Sequence, residues 1–155
     1  MDDRVSAIVE RTVKRILSPY PITPAIEVVN YLNEAVTRIV AGIVERYQNK
    51  DASFDDAIED LMRYLATDRN FSPSQSLRIL GDLKKEIKRE MHLSEREAIK
   101  LYEIIDEVLY KAFEFYYNCR AKIFELRLKE KDRDIEIMRR IIEFSNITTE
   151  KFRKD

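Results

Sequence analysis

Two side chains are the first candidates for chemistry, because His92 and Cys119 are each the only residue of their type in the chain. One histidine cannot build a two-histidine zinc site or the paired Glu-x-x-His motifs of di-iron helical bundles. A haem needs only one histidine, but the sequence around His92 predicts a turn between two helices rather than the wall of a pocket. We therefore expect His92 to be exposed or to cap a helix, and we expect no metal and no cofactor. Haem ligation by a tyrosine stays open.

Cys119 cannot form an intrachain disulfide, because it has no second cysteine to pair with. Its neighbours at helical spacing, Tyr116 and Ile123, predict a small buried thiol of low reactivity. A Ser-His-Asp arrangement would have to use His92, and neither a glycine-flanked serine nor a glycine-rich phosphate loop occurs in the sequence. The residues supply no catalytic set, and we predict that the protein is not an enzyme.

Aromatic residues are concentrated in the second half of the chain. Such density is typical of a core or a subunit interface, and the alternative is a pocket for an apolar small molecule or haem. The residues concerned are Tyr102, Tyr110, Phe113, Phe115, Tyr116, Tyr117 and Phe124.

The charge balance excludes two classes of partner. The 28 lysine and arginine residues face 29 aspartate and glutamate residues, which leaves a formal charge of -1. A nearly neutral chain lacks the positive surface that binds nucleic acid or anionic lipid. No stretch approaches the roughly 20 apolar residues of a membrane-spanning helix. We expect a soluble, cytoplasmic protein without a nucleic-acid or membrane partner.

Apolar residues recur at spacings of three and four along most of the chain, which predicts an all-α bundle of about five helices. We place the N-cap of the second helix at Thr23, with Pro24 at the first helical position, and the start of the third helix at Ser53. Ser72 with Gln75, and Ser94 with Glu97, have the spacing of capping boxes and should open the fourth and fifth helices.

No proline or glycine follows Ser94, so the fifth helix should be very long and should extend from the body of the bundle. Apolar residues repeat along it at heptad spacing, which is typical of helices that pair. We therefore expect a homodimer in which the fifth helices pair, and a division into a bundle of residues 1–126 and a charged exit helix, similar to a coiled coil, of residues 127–155. The candidate dimer interface, called the predicted seam below, consists of Ala112, Tyr116, Cys119, Ile123 and Leu126.

Six short stretches between residues 57 and 127 resemble the N-terminal domain family of RsbRD-type stressosome co-antagonist proteins. They are Ala57–Arg63, Phe71–Leu77, Leu83–Ile87, Ile105–Asp106, Ala112–Tyr116 and Asn118–Arg127. The resemblance implies a helical input domain of bacterial signalling proteins whose last helix leads to an output module, without catalytic residues. Domains in equivalent positions of related proteins are globin-like dimers without haem, so a globin-like arrangement is one alternative for the bundle. The sulfate-transporter and anti-sigma-antagonist domain that follows in well-known members has no counterpart in this sequence.

Together, these features favour a cytosolic signal-transduction input or modulator domain that acts by homodimerisation and protein–protein contact. Its partner would be an output domain or a signalling protein. The alternative is a ligand sensor that holds an apolar molecule or haem among the aromatic residues of the fifth helix.

Overall fold

The computed structural model of the protein describes residues 2–154 and contains six helices. These are α1 (Asp3–Leu17), α2 (Ile26–Tyr47), α3 (Asp55–Thr67), α4 (Pro73–Gly81), α5 (Leu83–Glu90) and α6 (Glu95–Lys154). No strand occurs in this range. The all-α prediction and the long C-terminal helix are therefore confirmed, whereas the globin-like arrangement stays a prediction.

Both predicted capping boxes are present. The backbone N–H of Gln75 donates to Ser72 Oγ at 3.2 Å, and the N–H of Ser72 donates to Gln75 Oε1 at 2.9 Å. At the start of α6, Ser94 and Glu97 exchange the same two bonds, each at 3.2 Å. Each box satisfies two backbone N–H groups, one in the first turn and one at the N-cap, that would otherwise lack a partner, and so fixes where the helix begins.

Two predicted helix starts are wrong by two residues. Ala25, not Thr23, is the N-cap of α2, since its extended backbone (ψ 150°) holds Pro24 outside the helix. Helix α3 begins at Asp55 and not at Ser53, because Phe54 keeps a non-helical backbone (φ -145°, ψ 24°) while its ring is buried in the core. The predicted fourth helix is divided at Asp82 into α4 and α5, and the pair counts as one bent helix in the predicted five.

The core is formed by the apolar stripes that the sequence pattern indicates. Helix α1 packs on α2, α4 and α5, and α3 packs on α2 and α4. The part of α6 that precedes Arg120 adds six buried residues, namely Ala98, Leu101, Ile105, Val108, Ala112 and Tyr116. Lys111, on the same part of α6, donates to the carboxylate of Asp55 at 2.9 Å.

Gly42 gives α2 its closest approach to Phe54. A Cβ atom at Gly42 would lie 2.1 Å from Cδ1 of the Phe54 ring, far inside van der Waals contact. The guanidinium of Arg46 also covers this ring, 4.4 Å from the ring centroid. The close contact at Gly42 is therefore made by an aromatic ring.

Contacts divide the chain into two compact units, Met1–Cys119 and Arg120–Asp155. The boundary lies after Cys119, whereas the sequence places it after Leu126. The outer limits of the predicted domains, Met1 and Asp155, lie outside the described residues.

Candidate functional site

His92 takes part in ending α5. It has a positive φ of 53° and is exposed in the turn that follows α5. Its N–H donates to the carbonyl of Arg89 at 3.2 Å, and the N–H of Leu93 donates to that of Lys88 at 3.0 Å. This pair of hydrogen bonds is a Schellman motif, which satisfies the last carbonyls of a helix. The prediction that His92 is exposed or caps a helix is confirmed.

Cys119 is only half-buried, at the last position of the first unit. Among residues 2–154, no three His, Cys, Asp or Glu side chains are grouped closely enough to hold a metal ion.

A cluster of titratable groups that the sequence did not reveal joins the segment after α1 to α3. Tyr20 donates a hydrogen bond to the carboxylate of Asp68, and Tyr64 donates to the hydroxyl oxygen of Tyr20 at 2.5 Å. Burial raises the pKa of Tyr64, so its phenol stays protonated and cannot act as a base at neutral pH. The cluster ties two segments together across 44 and 48 residues of sequence, which no local pattern could indicate.

A second cluster joins α1 to α5 through ion pairs. Glu86 accepts from Arg11 at 2.8 Å and from Arg89 at 2.8 Å, and it lies 3.5 Å from Arg15. Arg11 also donates to Glu90 at 2.5 Å, which raises the pKa of the guanidinium and lowers the pKa of Glu90. Every charge in this cluster has an opposite partner, so the cluster fastens two helices rather than presenting a reactive group.

The aromatic residues of α6 do not enclose a common cavity. Tyr116 is buried and Tyr102 and Phe115 are partly buried. The other four are each at least 56% exposed, namely Tyr110, Phe113, Tyr117 and Phe124. The rings of Phe113 and Tyr117 stack with their centroids 6.2 Å apart. On the first unit, Phe113 and Tyr117 therefore form an exposed pair of stacked rings.

The predicted seam is wrong at its first two positions. Ala112 and Tyr116 are 0% and 4% exposed, so they are core residues of the first unit and have no surface to offer a second subunit. The reason is that heptad spacing marks a buried helix face whether the packing partner is the same chain or another. Cys119 and Ile123 are half-buried and Leu126 is exposed, and their role at an interface stays a prediction.

The second unit presents a large apolar surface to solvent. From Arg120 to Lys154 every residue is exposed except Ile123 and Thr148, which are partly buried. Eleven large apolar side chains in this stretch are each at least 47% exposed, namely Phe124, Leu126, Leu128, Ile135, Ile137, Met138, Ile141, Ile142, Phe144, Ile147 and Phe152. Single exposed apolar residues are ordinary, but eleven large ones on one stretch of helix are a concentration typical of interaction sites. We call this set the α6 apolar surface.

No helix among the described residues is long and apolar enough to cross a membrane. No family model and no solved structure matches the chain. An uncharacterized protein of Archaeoglobus fulgidus is 42% identical over 139 residues, which cover 90% of this chain and 92% of that protein. Identity at this level over nearly the whole of both chains shows common descent and a shared fold. The chain therefore belongs to the same family as this Archaeoglobus fulgidus protein.

Proposed function

We propose that the protein is a signal-transduction module of the cytoplasm, which forms a homodimer and acts by binding other proteins rather than by catalysis. The observation that carries this proposal is the α6 apolar surface, with eleven large apolar side chains exposed on one 35-residue stretch of helix. A helix in water gains most of its stability by packing an apolar face against a partner. This stretch offers such faces along most of its length.

The charges of this stretch support association between copies. Between Glu125 and Glu143 six basic residues alternate with six acidic residues, so two copies carry no large net charge of one sign. Mutual repulsion is therefore weak, and opposite charges are available along the whole contact. A nucleic-acid partner is disfavoured by the same balance.

The regulatory part of the proposal rests on the resemblance to RsbRD-type input domains and on the absence of a plausible catalytic centre among the described residues. The two clusters of titratable groups, around Tyr20 and around Glu86, are internally paired. A partner that binds the α6 apolar surface would be an output domain or a signalling protein. The single cysteine fits a reducing compartment.

Native mass spectrometry of the full chain, at low and high micromolar concentration, tests the proposal. We expect a dimer whose mass is twice that of the chain, and an absorption spectrum that shows only tyrosine and phenylalanine. A monomer at all concentrations would overturn the proposed self-association. A discrete additional mass, or visible absorption, would instead establish the alternative ligand sensor.

A further inference from the structure

One of the stripes with seven-residue spacing on the α6 apolar surface is flanked by ordered charges. One set of positions is Ala121, Leu128, Ile135 and Ile142, and the second set is Phe124, Lys131, Met138 and Ser145. Together they have the alternating spacing of three and four that fills the a and d positions of a coiled coil. Five of these eight residues belong to the α6 apolar surface. We call the eight positions the outer stripe.

The outer stripe differs from the predicted seam. Ile123 of the seam and Phe124 of the stripe are neighbours in sequence, so their side chains leave the helix about 100° apart. The outer stripe also contains an open hollow of about 400 Å³, lined by Ile135, Met138, Arg139, Ile142 and Glu143. A hollow between stripe residues is where a side chain of a facing helix inserts in coiled-coil packing.

The edges of the outer stripe carry charges in a regular order. One edge has Arg120, Arg127 and Asp134, each just before an a position. The other edge has a charge of opposite sign five residues after each of them. The three pairs are Arg120 with Glu125, Arg127 with Asp132, and Asp134 with Arg139.

Five residues is the separation at which the two edges of a parallel, in-register helix pair meet across the interface. We propose that the outer stripes of two copies pack in parallel and in register, so that Arg127 of each copy meets Asp132 of the other and Asp134 meets Arg139. This inference rests on the proposed self-association and names the surface and orientation through which it occurs.

The Arg127–Asp132 pair is the one whose two members are both available to a second copy. Among residues 2–154, the edge residues Arg127, Asp132 and Asp134 form no ion pair. Two other edge residues do pair within the chain, Glu125 with Lys129 at 3.7 Å and Arg139 with Glu136 at 3.9 Å. An antiparallel pair would bring each edge against the same edge of the second copy, and the three pairs could not form. A parallel pair shifted by one heptad would bring Arg127 against Arg139, which repel.

Lys131 and Ser145 are the polar members of the outer stripe. A polar residue at such a position lowers the stability of a coiled coil but limits the registers and oligomers that can form. The long stem of Lys131 can lie along the apolar stripe while its ammonium reaches solvent. The outer stripe therefore fits a dimer of moderate affinity better than a permanent one.

Site-specific disulfide formation tests the proposal on the full chain, with Cys119→Ser as the background. We expect Leu128→Cys to form a disulfide-linked dimer upon mild oxidation, because in-register packing brings position 128 of one copy next to position 128 of the other. Leu126→Cys is the matched control, since Leu126 and Leu128 are similarly exposed, at 52% and 47%, but only Leu128 lies on the outer stripe. The control should stay unlinked.

A charge exchange gives an independent readout by analytical ultracentrifugation. Arg127→Asp should raise the dimer dissociation constant by about tenfold, since two attractive pairs become repulsive. Adding Asp132→Arg should restore it by recreating the pairs with reversed sign. If the chain is a dimer but Leu126→Cys links and Leu128→Cys does not, this inference is overturned while self-association stands. If the chain is a monomer, the proposed self-association and this inference are both overturned.

Discussion

Replacing Gly42 by alanine tests the closest contact in the core. In an exposed helix, glycine to alanine stabilises by about 1 kcal/mol, because alanine loses less backbone entropy on folding. At Gly42 the added Cβ would lie 2.1, 2.6 and 2.7 Å from three atoms of the Phe54 ring. The ring is 2% exposed and is covered by Arg46, so it has no space to move without displacing its neighbours.

The expected loss of stability depends on how far the added methyl group displaces the Phe54 ring. Forcing one extra carbon into a packed core costs about 1–3 kcal/mol, and expelling a buried phenylalanine costs about 3–5 kcal/mol. Three contacts below 3 Å place Gly42→Ala towards the upper range. After the gain of about 1 kcal/mol in helix propensity, we expect a net loss of about 2–4 kcal/mol. At about 4 °C per kcal/mol for a unit of this size, Tm should fall by about 8–16 °C.

Gly81 provides the matched control, since it is the only other glycine and a Cβ there would meet no atom within 4 Å. Gly81→Ala should raise Tm by about 2–4 °C, from about 0.5–1 kcal/mol of reduced unfolded-state entropy. Thermal unfolding followed by circular dichroism measures both variants. In a Phe54→Leu background, the loss caused by Gly42→Ala should shrink by more than half. An equal loss in both backgrounds, or a rise in Tm for Gly42→Ala alone, would refute the steric explanation.

Two further predictions concern helix ends and pH. The hydrogen bond from Arg11 lowers the pKa of Glu90 below its ordinary value of 4.5, so this pair contributes stability above that pH and loses it as the pH falls through the lowered pKa. The Tm difference between the natural protein and Glu90→Gln should therefore be constant from pH 7 to pH 5.5 and shrink towards pH 3, and a difference that grows on acidification would contradict the pairing. His92→Gly should raise the free energy of unfolding in urea by about 0.5–1 kcal/mol, because glycine adopts the positive φ of 53° without strain. His92→Ala should not stabilise, and equal gains in both variants would exclude the backbone explanation.

Features set by neighbouring residues could be predicted from the sequence. The capping boxes at Ser72 and Ser94 depend on side chains three residues apart, and the buried stripes of α1 and α2 depend on helical periodicity. Features that depend on residues far apart in the sequence could not be predicted in this way. Nothing in the sequence identified Phe54 as the group that packs on Gly42. The three arginines around Glu86 likewise come together only because α1 packs on α5.

The predicted seam failed in part for a different reason. Helix α6 has two apolar faces, and the spacing of one, through Ala112 and Tyr116, satisfies a heptad pattern because it packs into its own bundle. Apolar spacing alone cannot tell a core face from an interface face. The order of charges beside each face supplies a second criterion, since opposite charges five residues apart on the two edges can pair across a parallel interface.

The outer stripe also bears on why such a pair would suit regulation. Burying an apolar side chain fully contributes about 1.5–3 kcal/mol, so one that is already about half covered contributes about 1 kcal/mol. Five such residues in each of two copies contribute on the order of 10 kcal/mol, while association costs about 4–15 kcal/mol in lost freedom. The free energy gained by burial and the free energy lost on association are of similar size, so monomer and dimer would both be populated at equilibrium. A third molecule that contacts the exposed rings of Phe113 and Tyr117, and distinguishes the two states by only about 1.4 kcal/mol, would change their ratio about tenfold. In the proposed dimer a longer uninterrupted stripe would bind more tightly, and the polar positions Lys131 and Ser145 would lower the affinity into a range that a partner protein could shift.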